Sequence, residues 1–338
     1  MKNNKLLTLA IETSCDETSV AVTSDGREVL SNVISSQIDV HKVFGGVVPE
    51  IASRHHLENI NAVFNRAMGE ASVKPSEIDM IGVTKGPGLV GALLVGIATA
   101  KAFSFAWGVP LLGIHHIQGH ICANYIAHKD LEPPFTALVI SGGHTSIVDV
   151  TGYNECMVLG KTRDDAAGEA YDKVARVLGL PYPGGPAIDE AAKSGDPFAV
   201  KFKRVFLEKD SFDFSFSGTK TGVINYLNTE RQSGRGINAA DVAASFQQAI
   251  MEVVVSKAAG AAKLLKRGKL VLAGGVAANS LLRKMLKEEC GRMGIKLYCP
   301  PSVLCTDNAA MIGCAAYYRY MAGERDDLAL DAFAGLEL

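Results

Sequence analysis

The 338-residue sequence lacks a C-x-x-C pair, a G-x-x-x-x-G-K-[ST] loop, an H-E-x-x-H helix and any low-complexity tract. Its seven cysteines, Cys15, Cys122, Cys156, Cys290, Cys299, Cys305 and Cys314, form an odd set without paired spacing. That argues against a disulfide framework or a zinc knuckle and for a reducing compartment. Without the Walker loop a P-loop nucleotide site has no support, and no dinucleotide-binding G-x-G-x-x-G is expected after a strand. An excess of positive charge is also missing: 34 Lys and Arg against 36 Asp and Glu leave a formal charge of -2. No global basic field holds nucleic acid, so such a partner would need a local patch or another subunit. The amino terminus runs from two early lysines directly into an apolar strand, and the most apolar later stretch, Leu89 to Trp107, is interrupted by Gly91, Gly96 and Lys101. These features predict no signal peptide and no membrane association, a cytoplasmic chain, and a buried helix over 89–107.

What is present is apolar mass. With 48% hydrophobic and 21% charged residues the chain is able to bury a sizeable core, and its length favours two lobes. Leu9-Ala-Ile-Glu-Thr-Ser-Cys-Asp-Glu-Thr-Ser-Val-Ala-Val22 is echoed by Leu138-Val-Ile-Ser-Gly-Gly-His-Thr-Ser-Ile-Val-Asp-Val150. Each reads as a strand, a polar turn and a second alternating strand, so two hairpins open two α/β halves. Strands and helices alternate after each: a helix over Asn59–Gly69, a strand over Met80–Thr84, a helix over Leu89–Ala106. The expected division is 1–130 and 131–338, with the C-terminal helix left able to pack back on the first lobe. Glycine pairs at 142–143, 184–185 and 274–275 follow apolar runs or rigid turns, where backbone amides stay open to an anionic or nucleotide ligand. Asn228–Gly236, polar and glycine-bearing, reads as the flexible stretch.

Ile114-His-His-Ile-Gln-Gly-His120 is the sharpest local feature. On a helix His116 and His120 stand at i and i+4, close enough for both imidazoles to reach one metal. Taken alone, two solvated or hydrogen-bonded histidines explain the spacing better. A third ligand, Asp307 in Cys305-Thr-Asp-Asn308, changes the balance by offering a carboxylate at a helix start. Ile117 replaces the glutamate of a zinc protease, which lowers that reading. Glu12 and Asp16 in the first hairpin turn either act as acid and base or stabilise the turn. Asp165, Glu169 and Asp172 share a helix face, solvated or functional, and Asp189 after Pro181-Tyr-Pro-Gly-Gly-Pro186 is placed to meet ribose hydroxyls or simply to start a helix. In Phe212-Asp-Phe-Ser-Phe-Ser-Gly-Thr-Lys220 the phenylalanines cover a core face while Ser217 and Lys220 reach solvent.

Taken in order, I-E-T-S-C-D-E-T, G-P-G-L-V-G-A-L-L-V-G, H-H-I-Q-G-H, S-G-G-H-T, D-D-A-A-G-E-A-Y-D-K, Y-P-G-G-P, F-S-F-S-G and C-T-D-N-A-A-M-I-G resemble the bacterial TsaD family from about Leu7 to Tyr318. These are tRNA N(6)-adenosine threonylcarbamoyltransferases, formerly described as glycoproteases. The resemblance implies a duplicated, two-lobed actin/Hsp70/sugar-kinase-like fold with threonylcarbamoyl-AMP between the lobes. It implies transfer of the threonylcarbamoyl group to the exocyclic amine of adenosine 37 in tRNAs reading ANN codons, with release of AMP. The implied ligands of one divalent metal, Fe(2+) by the family's precedent and Zn(2+) as the alternative, are His116, His120 and Asp307. The implied substrate contacts are Val139, Ile140, Ser141, Gly142, Gly143, Asp172, Gly185, Asp189 and Asn279. Implied partners are tRNA, a TsaB-like dimerisation subunit meeting the glycine-bearing helix at 89–106, and a TsaE-like P-loop ATPase. Two alternatives stay open: an O-carbamoyltransferase of the same fold, and a non-catalytic TsaB-like assembly subunit.

Overall fold

A computed structural model describes residues 5–338 and divides into two compact units, one running to Glu132 and resuming at Val303–Leu338, the other Pro133–Ser302. In the first unit, strands β1 (Leu7–Glu12), β2 (Glu17–Ser24) and β3 (Glu28–Ser36) form an antiparallel meander. The short helix α1 (Ile38–His41) and the long α2 (Pro49–Ala71) follow, then β4 (Met80–Gly86), α3 (Val90–Trp107), β5 (Leu111–His115) and α4 (His116–Ala127). The strand order is β3-β2-β1-β4-β5, with β4 and β5 parallel to β1.

The second unit repeats this plan. Strands β6 (Phe135–Ile140), β7 (Thr145–Val150) and β8 (Cys156–Lys161) form the meander. Helices α5 (Ala167–Leu178), α6 (Gly184–Ala192), α7 (Ser217–Gln232) and α8 (Ala239–Leu264) precede β9 (Lys269–Ala273), α9 (Ser280–Met293) and β10 (Lys296–Tyr298). The order β10-β9-β6-β7-β8, again with parallel β9 and β10, matches the first sheet strand for strand. The echoed hairpins of the sequence are the β1–β2 and β6–β7 pairs. Their strands are buried on both faces, which is why Leu9-Ala-Ile11 and Leu138-Val-Ile140 read as continuous apolar runs rather than alternating ones.

The last helix, α10 (Ala309–Met321), lies in the first unit together with the rest of residues 303–338, the packing back that the sequence division left open for it. The cause is steric fit. A Cβ at Gly313 would stand 2.7 Å from Thr23 Oγ1 and 3.3 Å from the Ala10 Cβ, so glycine lets α10 seat on the β1–β2 surface.

Three expectations change. The spacing G-x-G-x-x-G does occur, at Gly86, Gly88 and Gly91 between β4 and α3. Its glycines are filled by their own unit: a Cβ would lie 2.0 Å from Phe333 O at Gly86, 2.6 Å from Ser14 O at Gly88 and 2.5 Å from Ser53 Oγ at Gly91. The turn therefore serves packing and has no room for a pyrophosphate. Residues 228–232, read as flexible, are the last turns of α7. Ser217 and Lys220, expected at the solvent, hold Asp164 and Asp165 respectively, while Phe214 and Phe216 are buried as expected.

Candidate functional site

The chain turns from β5 into α4 at His115, whose Nδ1 accepts the Ile117 N–H at 3.1 Å and whose Nε2 lies 3.2 Å from Leu336 O. Burial pushes the His115 imidazole down to about 4, so it is neutral and able to cap the helix. His116 and His120 thus fall on the first turns of α4, one above the other, with rings 4.6 Å apart and nearly perpendicular. Gly119 between them lets α10 approach, since a Cβ there would meet Ile312 Cδ1 at 2.7 Å. Asn308 caps α10 by accepting from Met311 N at 3.0 Å, and this fixes Asp307 just ahead of the helix. Asp307 Oδ1 comes 3.5 Å from His116 Nε2 and 3.1 Å from His120 Nε2, and the three donors lie within 4.8 Å of one another.

Glu12, at the end of β1, is fully buried. Its Oε1 accepts the Ser14 N–H at 2.5 Å, and its Oε2 accepts Thr84 Oγ1 at 2.5 Å and faces His116 Nδ1 at 3.2 Å. Ser14 Oγ adds a contact to the same Nδ1 at 3.1 Å. With Nδ1 held in this way, Nε2 of His116 is the nitrogen turned to Asp307, the carboxylate–histidine arrangement that sets the tautomer of a metal-bound imidazole. Burial opposes charge on both groups, yet His116 holds the Glu12 carboxyl below its usual range, and Asp307 and Glu12 together bring His116 up to about 9.

The donor set fits a divalent cation. His120 Nδ1 is buried with no hydrogen-bond partner among the described residues, and Nε2, also buried, faces the Asp307 carboxylate at 3.1 Å without hydrogen-bond geometry. Leaving such atoms unsatisfied costs on the order of 1–3 kcal/mol, which a bound ion would recover. Negative charge is concentrated nearby as well: half-burial together with Asp307 and Asp16 pushes the Glu17 carboxyl up to about 10. Once a cation displaces the proton that Asp307 and Glu12 favour on His116, two imidazoles and one carboxylate suit iron or zinc and leave coordination positions open.

In the second unit, Val139 and Ile140 are fully buried in β6, so only Ser141, Gly142 and Gly143 of the expected 139–143 contact leave the strand. A Cβ at Gly142, Gly143 or Gly185 would meet nothing within 4 Å, so the backbone there borders open space. Asp172 Oδ1 accepts the Gly184 N–H at 2.7 Å and pins the start of α6 to α5. Asp189 Oδ1 accepts from Gln247 Nε2 at 3.1 Å, Asn279 Nδ2 at 3.3 Å and Ser280 Oγ at 2.8 Å, while Oδ2 accepts the Ser280 N–H at 3.2 Å. Gly274 has φ +92, and a Cβ on it would stand 2.5 Å from Ile140 O. Gly274→Ala should therefore cost about 1–3 kcal/mol, read as a lower melting temperature.

Structure thus unites His116, His120 and Asp307 and unites Asp189 with Asn279. It gives Glu12, a candidate acid or base in the sequence, a supporting place with both oxygens engaged. Asp16 is buried, with its carbonyl accepting from Gln37 N. Ser14, Thr84, Gln247 and Ser280 carried no assignment. Ser14 stands inside the I-E-T-S-C-D-E-T motif, and the one signal for Gln247 was a polar residue on an otherwise apolar helix face.

Against known proteins, the profile of the family described as "TsaD: tRNA N6-adenosine threonylcarbamoyltransferase" matches residues 28–314. A Clostridium botulinum protein of that name is 58% identical over 330 residues, covering 98% of this chain and 97% of the relative. A Clostridioides difficile protein of the same name is 54% identical, with 98% of each covered. The crystal structure of T. kodakarensis HypF superposes with a TM-score of 0.64 at 14% identity, over 94% of this chain and 48% of that one. The fold is the duplicated actin/Hsp70/sugar-kinase-like α/β architecture, and the chain belongs to the TsaD family, the tRNA N6-adenosine threonylcarbamoyltransferases.

Proposed function

We propose that this chain transfers a threonylcarbamoyl group from threonylcarbamoyl-AMP to the exocyclic amine of adenosine 37 in tRNAs reading ANN codons, releasing AMP. Membership of the family makes it a transferase. The observation that carries the reading is the His116, His120 and Asp307 cluster with Glu12 behind it, a donor set a TsaB-like assembly subunit would have no use for.

The amine of adenine is a weak nucleophile because its lone pair is delocalised into the ring, so the carbonyl it attacks must be activated. The mixed anhydride with AMP supplies a good leaving group. When bound at His116, His120 and Asp307, a divalent ion, Fe(2+) or Zn(2+), supplies Lewis-acid polarisation of the carbamoyl carbonyl. Glu12 and Ser14 hold His116 in one tautomer, a positioning role. The open amides at Gly142 and Gly143 are offered to the adenylate and to charge developing on oxygen. Asp189, Asn279 and Gln247 form a fixed polar floor for its ribose. Asp16 is assigned the amine proton, since both Glu12 oxygens are already engaged.

The test combines the purified chain and bacterial partner proteins with threonylcarbamoyl-AMP and unmodified tRNA, followed by nucleoside mass analysis. The modified nucleoside should appear and depend on added metal. Its absence with verified partners, or carbamoylation of a small hydroxylated compound that tRNA does not inhibit, would replace this reading with the O-carbamoyltransferase one.

A TsaB-like partner is assigned to α3, though not through its glycines. Gly91 and Gly96 are consumed within the unit, the latter against Thr13 Oγ1 at 2.5 Å. The helix is largely apolar but only 33% of it is buried; Val90, Leu94 and Phe105 fall on one exposed face by helical spacing, and Leu57 of α2 is exposed as well. Leu94→Glu should weaken association with the partner by about 10-fold or more, measured by titration calorimetry, with an unchanged melting temperature. TsaE-like assistance remains part of the same proposal.

A further inference from the structure

Between α6 and α7 the chain has almost no regular secondary structure, yet residues 196–206 are tied down along their length. Ser245 of α8 donates to Asp196 O and accepts from Val200 N, both at 3.1 Å. Arg204 makes a two-pronged pair with Glu252 at 2.7 and 3.2 Å, and Thr219 Oγ1 donates to Lys203 O at 3.0 Å. Phe202 is buried against the Tyr226 edge. A segment fixed this firmly would be expected to turn its large apolar side chains inward. Instead Phe198 is 71% exposed and Phe206 53% exposed.

Phe198 lines a groove of about 630 Å3 with Pro197, Val200, Lys201 and Lys203. Three of the acidic groups nearby are already committed. Asp196 caps the Phe198 N–H, Glu252 is taken by Arg204, and Glu208 is held by Arg163 at 2.8 Å. Lys201, Lys203 and Lys209 are exposed and pair with no carboxylate among the described residues, so the strap keeps a local positive charge on a chain whose net charge is -2. Exposed aromatic rings interleaved with unpaired lysines match the chemistry of single-stranded nucleic acid, in which every base offers a π face and every link a phosphate. Continuity with the candidate site runs through α8: Ser245 holds the strap, and Gln247, two residues on, holds Asp189.

We propose that this strap is an RNA-binding surface for the unpaired loop of the tRNA substrate, with Phe198 stacked on a base and Lys201 and Lys203 on phosphates. The proposal rests on the tRNA reading given above and adds where the second unit grips that substrate. It also supplies the local patch that a chain without a global basic field requires.

The test measures binding of an unmodified anticodon stem–loop RNA to the full chain over a range of salt concentrations, with the transferase assay run in parallel. The double variant Lys201→Ala/Lys203→Ala should bind more weakly and flatten the slope of log K against log salt by about 1.4, at about 0.7 per single-strand phosphate contact. Phe198→Ala should lose about 10-fold in affinity at every salt concentration, and Phe198→Trp should restore it. Circular dichroism and melting curves check that each variant folds. Wild-type chain that does not bind the RNA at low salt, variants that bind as wild type does, or variants that lose binding to anionic lipid vesicles and not to RNA would each overturn the proposal. An inactive wild type that still binds RNA through these residues counts against the transferase reading and leaves the surface assigned.

Discussion

Replacing His120 with alanine should remove stoichiometric metal from the purified protein and lower transfer by at least about 100-fold, a larger loss than the ten- to hundredfold usual for groups that merely support a ligand. The cluster has three donors within 4.8 Å of one another, and without the imidazole only His116 and Asp307 remain. Stability separates this outcome from simple misfolding. Truncating a buried side chain costs about 2–5 kcal/mol in cavity and lost contact, but here it also removes a buried nitrogen, Nδ1, that lacks a hydrogen-bond partner among the described residues. Relief of about 1–3 kcal/mol partly offsets the cavity. The metal-free variant should therefore melt within several degrees of metal-free wild type, while added metal raises only the melting temperature of wild type. Metal analysis, calorimetry and the nucleoside assay on one preparation decide it, and an alanine variant that keeps both metal and rate would remove His120 from the site.

Glu12→Gln should weaken metal binding by about 10- to 100-fold. The substitution is nearly isosteric, yet all three neighbours of the carboxylate, Ser14 N–H, Thr84 O–H and His116 Nδ1, use it as an acceptor. A glutamine must turn its NH2 toward one of these donors, so at least one buried contact is lost and His116 is released from its tautomer. The two candidate roles of Glu12 part company under excess metal. If Glu12 works through His116, saturating metal returns most of kcat, because the defect lies in affinity. If Glu12 took the amine proton, kcat would stay low however much metal is present.

Much of the fold was legible because it is written in short-range patterns. Two apolar strands with a polar turn recurred at residues 9–22 and 138–150, and a hairpin buried on both faces has few other ways to read. The i, i+4 histidines were visible for the same reason, since helical spacing alone puts them on one face. Patterns that depend on what fills a space were harder to read. The Gly86, Gly88 and Gly91 spacing was passed over although it is present, and Gly91 and Gly96 looked suited to a partner helix; all four are occupied by Phe333, Ser14, Ser53 and Thr13 of their own unit. The side chains of Val139 and Ile140, part of the implied contact motif, are buried, because strand neighbours of an exposed turn residue need not be exposed themselves.

Sequence alone pointed to the duplicated α/β plan, to the family that the motifs resemble and to three candidate metal ligands, His116 and His120 by helical spacing and Asp307 by its place at a helix start and the family resemblance. Tertiary structure decided the rest. That Asp307, nearly two hundred residues beyond His116, comes to 3.5 Å from it depends on Gly119 and Gly313 letting α10 seat against α4 and the sheet. That Glu12 stands behind His116 as support depends on which acceptors its two oxygens meet, and hydrogen-bond partners at a separation of 104 residues are set by packing, not by composition.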